Sequence, residues 1–496
     1  MVNETNHHDG LHRAVVAQRQ WSRLTTRERA QRMRLVQASI VDVADDLCDL
    51  LRLPQRRSKS ETLSAELIPL CEALRFLRRR GAEILATRTI GVAGRPLWLW
   101  GTRGEVQRDA WGTVLILAPW NYPLFLAGVQ AAQALVAGNA VLWKPAPGCE
   151  AATATLIDCF QNAVGTDLIQ QVDSDPQVAT RLMEAGVDKI VLTGSSQTGR
   201  AVLGTAANRL TSTTMELSGC DCLIALPEAA IDRVIESIAF GLQFNSGATC
   251  IAPRRIFIPA TQLPRYRTML ETRLASAPGL SVHPAARQTF VQLVEDSLQR
   301  GGHILGGVWD RRRLESDGTT NPIVMLDAKP DWPLMQADVF APVAAICAYQ
   351  EVEELEALVG AARYALGASI FGNARAARRL ARRLKVGTVT INDLIVPTAD
   401  PRIPFGGRGE SGFGTTRGVE GLLEMTCPRV IMTQKLRKPM HYAPSTPGDA
   451  QILAGMLELN FASGWRKRFR GLRNLVAGIR QSSGGTKNAY TVRGLK

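Results

Sequence analysis

The chain has 496 residues, 45% apolar and 21% charged, which is too long for one compact core and ample for two or three. Its 59 Lys+Arg against 45 Asp+Glu give a net charge of +14, and its nine scattered cysteines suit reduced thiols rather than a disulfide-stapled secreted fold. The opening "MVNETNHHDGLHRAVV" lacks the apolar core of a signal peptide, so a cytoplasmic setting is expected.

Residues 14–90 read as two or three helices, and "TTRE" (Thr25–Glu28) has capping-box spacing at the head of the first long one. From Ala110 to Trp143 no residue is charged, but Pro119, Asn121, Pro123 and the Gly138–Asn139 pair cut this stretch into pieces too short to span a bilayer. A buried strand–helix–strand unit is predicted instead. Strands are expected at "GTVLILAP", "NAVLWKPAP", "LIQQVD" and "KIVLTGS", with helices near 124–137, 150–164 and 176–186 between them. The alternation resumes after about 216, with strands at "CLIALP", "RRIFIP", "NPIVML", "VAAICAY", "GASIFGN" and "GTVTIND". Helices lie near 229–244, 261–276, 286–301, 351–362 and 374–384. Strand and helix in alternation imply right-handed crossovers and parallel sheets, so an α/β fold with two successive doubly wound sheets is expected.

Several short motifs sit where such sheets place ligands. In "APWNYP", Trp120 and Asn121 follow the carboxyl end of a strand, although Asn beside Pro also terminates strands for conformational reasons. "VLWKPAP" leaves Lys144 at the next strand's end, suited to a ribose or phosphate or merely solvated. "LTGSSQTGR" runs from a strand through Gly194 and Ser195 to Gly199 at a helix start, where backbone N–H groups can face a pyrophosphate; the spacing is not GxGxxG. "MELSGC" sets Glu216 among apolar and small residues; it is either a buried general base or a surface carboxylate at a strand end. "FNSGATC" puts Cys250 in a loop of small residues, either as a nucleophile or as an inert buried thiol. None of the six histidines falls in these motifs, so Glu216 is the better candidate for a base. Cys220 and Cys222 lack zinc-site spacing, and no metal site is expected.

Taken together, "PWNYP", "WKPAP", "LTGSSQTG", "ELSG", "FNSGATC", "DVFAPV" and "PFGGRGESGFG" resemble, in this order, the signature blocks of the NAD(P)-dependent aldehyde dehydrogenase superfamily over roughly residues 14 to 435. The 34-residue gap from Glu216 to Cys250 matches as well. The resemblance implies Cys250 as nucleophile, Asn121 with the Cys250 N–H as oxyanion hole, and Glu216 as the base for hydrolysis. It implies NAD or NADP as cofactor, bordered by Trp120, Gly194, Ser195 and Gly199, with Lys144 and Asp338 on its ribose groups and Phe340 near the nicotinamide ribose. Ala248, Asp338 and Ala341 depart from the usual Gln, Glu and Gly, Cys220 stands where Lys is common, and Pro147 stands where a carboxylate often meets the adenosine ribose. The substitutions leave a non-catalytic cofactor-binding paralogue as one alternative and transfer of the acyl group to coenzyme A as another.

The expected domains are 1–215 for cofactor binding, with a bridging segment near 95–111, and 216–403 for catalysis. Residues 404–440 return to the cofactor domain and the bridging element, and 441–496 form a basic appendage. "KPMHYAP" is similar to the class-3, fatty-aldehyde branch, which implies an apolar medium- or long-chain aldehyde and a homodimer. In the appendage Trp465, Phe469, Leu472, Val476 and Ile479 fall on one helical stripe amid Arg and Lys. Such a helix suits either a membrane surface through 464–480 or a docked face on the enzyme; nucleic acid is not expected.

Overall fold

The computed structural model describes residues 2–55, 57–96, 99, 101–305, 309–435, 442 and 445–488. It divides into two compact units, 1–87 with 107–429 and 88–106 with 430–496.

The first unit holds two sheets. In the first, the strands run in space Gly412–Phe413, Ser212–Leu217, Lys189–Gly194, Thr113–Leu117, Ala140–Lys144 and Ile169–Gln171. All pair in parallel except Gly412–Phe413, which lies antiparallel to Ser212–Leu217 with Gly412 opposite Glu216. Strand order reverses between Thr113–Leu117 and Lys189–Gly194, and the crevice at their carboxyl ends is where such sheets bind ligands. Thr113–Leu117 is buried along its whole length, and the helix Phe125–Ala137 that follows is buried on every side. This enclosure accounts for the uncharged stretch. The helix stops at Gly138, whose φ of 105° makes the left-handed cap.

The second sheet runs His303–Leu305, Ile323–Leu326, Val343–Tyr349, Arg255–Pro259, Cys222–Ala225, Gly367–Phe371 and Thr388–Ile391. It is parallel except for its first strand. Every strand and helix expected between 112 and 391 is present with ends shifted by a few residues. The strands Ser212–Leu217 and His303–Leu305 and the helix Arg311–Asp317 are among the additions, because none has an apolar run long enough to announce it.

The N-terminal helices differ more. They begin at Val2, not near 14, because Leu11 and Ala14 anchor the first helix in the core. The capping box is formed: the Glu28 N–H donates to Thr25 Oγ1 at 3.3 Å and the Thr25 N–H to Glu28 Oε2 at 2.7 Å.

The second unit holds most of a three-stranded sheet, ordered Arg88–Ile90, Thr102–Ala110 and Thr426–Gln434 with the first two antiparallel, and a hairpin of two helices, Asp449–Phe461 and Trp465–Asn488. The hairpin closes on glycines. A Cβ at Gly455 would lie 2.4 Å from the Leu475 nitrogen, at Gly471 2.6 Å from that of Leu459, and at Gly448 2.2 Å from the Gly478 oxygen. Leu453, Leu457 and Phe461 on one helix and Trp465, Phe469, Leu472, Val476 and Ile479 on the other remain exposed. "KPMHYAP" lies outside the described residues apart from Tyr442. No helix among the described residues is long and apolar enough to cross a membrane.

Candidate active site

Cys250 sits at the end of a loop whose backbone departs from ordinary geometry. Asn245 and Ser246 have φ of 50° and 51°, and Gly247 follows at 73°. Left-handed backbone at two side-chain-bearing residues costs of order 1–3 kcal/mol each and persists only where the surroundings impose it. A Cβ at Gly247 would lie 2.6 Å from the Ala341 carbonyl oxygen, so only glycine fits there.

Two buried arginines impose the loop. Arg254 donates to the carbonyls of Gly247 and of Ala341, the latter at 3.0 Å. Arg57, from the N-terminal helical region, donates from Nη2 to Asn245 Oδ1 at 2.8 Å and to the Asn121 carbonyl, and from Nη1 to Glu66 Oε1 at 2.7 Å. Glu66 Oε2 in turn accepts the Leu124 and Phe125 N–H groups at 3.0 and 2.7 Å. Arg57 and Glu66 are 2% and 0% exposed. A pair this deep is strongly disruptive to break, because the survivor stays charged and unpaired. Sequence reasoning missed both residues, since an Arg and a Glu in an amphipathic helical region read as solvent-facing. The "RRSKSE" context offered no signal.

Asn121 is buried and its Nδ2 donates to the Ala248 carbonyl at 2.9 Å, two residues from the thiol. An amide nitrogen carries two hydrogens, so this contact orients the group and leaves a second donor. Tyr122 is held beside it, its hydroxyl 2.5 Å from Thr249 Oγ1.

Glu216 is 2% exposed on the strand Ser212–Leu217, which removes the alternative of a surface carboxylate. Oε2 accepts the Thr416 hydroxyl at 2.6 Å, and Oε1 has no hydrogen-bond partner among the described residues. Burial raises its pKa, opposed by the Arg417 charge and the Thr416 hydrogen bond. Burial likewise raises the Cys250 thiol, with the Glu216 and Asp221 charges pushing the same way.

Asn121, Glu216 and Cys250 all line one cavity of about 480 Å³. Trp120, Lys144, Gly194, Ser195, Asp338 and Phe340 line it too. The helix Ser196–Ala207 starts at its wall with Ser195 as cap, which accepts the Thr198 N–H at 3.1 Å. A helix start beside a small-residue wall is suited to a pyrophosphate, so the lining fits a dinucleotide. Lys144 is partly buried, which lowers its pKa. Burial pushes Asp338 up to about 6, against the Ser218 hydrogen bond. Phe340 lies 5.7 Å from the Trp120 ring.

One expected cofactor residue stands back from the cavity. Gly199 does not line the cavity: its N–H is already bonded to the Ser195 carbonyl at 2.9 Å, one turn into the helix. Its smallness serves packing, because a Cβ there would lie 2.7 Å from Leu217 Cδ1. The histidine picture also changes. His283 stacks on Trp120 at 4.1 Å, but its Nδ1 accepts the Ala285 N–H as a helix cap.

Cys250 and Glu216 line a second, narrower channel of about 100 Å³ as well. Its walls include Tyr122, Phe125, Phe244, Ile395 and Phe405, and the buried Arg417 also faces it. The thiol and the carboxylate therefore line both the larger cavity and the apolar passage.

A model of the aldehyde dehydrogenase family matches residues 2–431. The chain is 29% identical over 451 residues to a 4,4'-diapolycopene aldehyde oxidase of Methylomonas sp, covering 88% of this chain and 84% of that protein. It is 30% identical over 446 residues to an NADP(+) succinate-semialdehyde dehydrogenase of Deinococcus radiodurans, covering 85% and 89%. A solved structure of a betaine aldehyde dehydrogenase from Staphylococcus aureus, in complex with NAD+, aligns at a TM-score of 0.80 over 88% of this chain and 89% of that one; at 23% identity this is a likeness of fold.

Proposed function

The chain belongs to the aldehyde dehydrogenase family and is an aldehyde-acting oxidoreductase, and from that premise we propose that it oxidises an apolar medium- or long-chain aldehyde to the acid through a Cys250 thioester. The observation that carries this reading is that Cys250, Asn121 and Glu216 line one cavity. The Cys250 thiolate attacks the carbonyl carbon, and the resulting oxyanion is held by the second Asn121 N–H and the Cys250 backbone N–H. The two-electron oxidation of this adduct to a thioester is the chemistry that a nicotinamide dinucleotide supplies when bound. Lys144, Asp338, Gly194, Ser195, Trp120 and Phe340 would hold NAD or NADP. Glu216, kept proton-hungry by burial, takes the proton of the water that attacks the thioester.

The aromatic and aliphatic channel supports an apolar substrate, of the terpenoid or carotenoid kind among others. Glu216 within the chamber favours hydrolysis over transfer to coenzyme A. An aldehyde panel with NAD and NADP supplied separately, with and without coenzyme A, tests both points. Reduced cofactor with a free acid product is expected; an acyl-coenzyme A product, or no turnover with any aldehyde, contradicts the reading.

The helical hairpin supports a place at an anionic membrane surface. Helices that approach through glycine seams pack without needing water to drive them together. Each helix of the pair carries an exposed apolar stripe away from the glycine seam. Arg466, Lys467, Arg468, Arg470, Arg473 and Arg480 surround one stripe, and of these Arg470 pairs with Glu458 at 3.0 Å. An apolar face rimmed by cations complements anionic headgroups. Flotation on phosphatidylglycerol vesicles should carry the full chain up, less so in high salt, and Leu457→Glu with Phe469→Glu should leave it behind. Identical recovery of wild type and variant refutes the membrane role. Self-association into a homodimer is supported by Val430 and Met432, exposed on an edge strand, and is read from mass in solution.

A further inference from the structure

In the channel that meets the thiol, the buried charge belongs to a residue that no part of the mechanism above uses. Arg417 follows Thr416, whose hydroxyl holds Glu216, and it is 6% exposed. Its guanidinium carbon lies 4.2 Å above the Phe405 ring centroid and 5.6 Å from that of Phe125. Nη1 donates to the Thr398 carbonyl at 2.6 Å, while Nε has no hydrogen-bond partner among the described residues. Of the residues lining the channel it is the only cation, and Glu216 and Cys250 line the same channel. Burying an arginine among aromatic rings is costly unless a negative charge answers it. Two such charges can form within the same chamber, the Cys250 thiolate and the Glu216 carboxylate.

We propose that Arg417 is the electrostatic partner of the nucleophile: its fixed charge in the substrate channel makes the Cys250 thiolate attainable in a site without a histidine base. The inference rests on Cys250 being the nucleophile. Of the charged groups acting most strongly on the thiol, Glu216, Asp221 and Asp338 oppose ionisation and Arg417 favours it. Arg254 also acts on Cys250, but its terminal nitrogens are committed to the Gly247 and Ala341 carbonyls and it does not line the channel. Behind Tyr122, Arg57 is neutralised by Glu66. The same guanidinium opposes the burial of Glu216, so it tunes the base as well as the nucleophile. No electron transfer is involved: one proton leaves the sulfur, and the positive charge that compensates the thiolate is already in place.

The test is the pH dependence of iodoacetamide alkylation, read on the Cys250 peptide by mass spectrometry so that the other eight cysteines do not interfere. Arg417→Met should move the midpoint up by about 1–3 pH units, the range for losing an opposite charge at close quarters. Arg417→Gln carries the same expectation and keeps a polar group for the Thr398 carbonyl should the Met variant fail to fold. Arg417→Lys, which preserves charge, should stay near the wild-type midpoint, and Phe405→Leu, which removes the stacked ring but not the charge, should leave it unmoved. Superimposable profiles for wild type and a folded neutral variant overturn the proposal. So does an equal shift in the Lys or Phe405 variant, which would assign Arg417 to packing. Wild-type Cys250 that resists alkylation even at high pH would instead overturn the nucleophile reading on which the proposal stands.

Discussion

The catalytic unit and the helical hairpin invert the usual distribution of polarity in opposite directions. The first buries charge: Arg57, Glu66, Glu216, Arg254 and Arg417 are all under 9% exposed. The second exposes grease: Phe461 and Trp465 are more than 70% exposed in a pair of well-formed helices. A folded chain tolerates the first inversion when each charge is answered from within, by Glu66 for Arg57 or by main-chain carbonyls for Arg254. The second can be answered only from outside the unit. Buried charge is thus matched within the first unit, whereas the apolar stripes of the hairpin stay exposed within the second.

Substitutions separate these two classes. The largest effect falls on the reacting groups: Cys250→Ala should abolish aldehyde oxidation. Asn121→Ala should cost roughly 10²–10³ in kcat, about 2.7–4 kcal/mol, with an unchanged thermal midpoint. Near-wild-type turnover in that variant would remove the oxyanion assignment. Next, Arg57→Met should destabilise the fold by about 3–5 kcal/mol in denaturant titration, because Glu66 would be left buried without its partner. A stability loss below 1 kcal/mol would show that the loop is held by other means. Smaller still is the pH-linked effect of Asp221, which burial pushes up to about 8 from an ordinary 3.8. The folded state favours the protonated carboxyl, so the stability it brings is full below the ordinary value and is lost as pH rises toward 8. Asp221→Asn cannot ionise, and its melting temperature should gain on wild type progressively between pH 5 and 9; parallel curves would contradict this. The smallest effect on catalysis belongs to the hairpin. Gly455→Leu should open the glycine seam and weaken vesicle binding while leaving turnover of a short, water-soluble aldehyde within about twofold.

Much of the catalytic unit was legible because its strands are short apolar runs and its helices amphipathic, the two periodicities that read most directly. The ends of Val343–Tyr349 and Glu150–Val164 coincide with their expected spans. What escaped was of two kinds. Ser212–Leu217 and Thr102–Ala110 are strands written largely in polar residues, so nothing in their hydropathy separates them from loops. Arg57, Glu66 and Arg417 acquire meaning through tertiary contacts, such as that between Arg57 and Asn245, 188 residues apart. Pattern along the chain carries no information about such pairs. Gly199 is the converse case, a residue in the expected motif whose N–H the helix has already used.

Whether one sulfur, one amide and one carboxylate act on the same carbonyl carbon is decided by supplying Glu216→Gln protein with an apolar aldehyde and oxidised dinucleotide and mapping the product by peptide mass spectrometry. An acyl adduct on Cys250 should build up to near one per chain and turn over slowly, since the thioester forms and its hydrolysis is blocked. An adduct on any other cysteine, or none while wild-type protein turns the same aldehyde over, would contradict it.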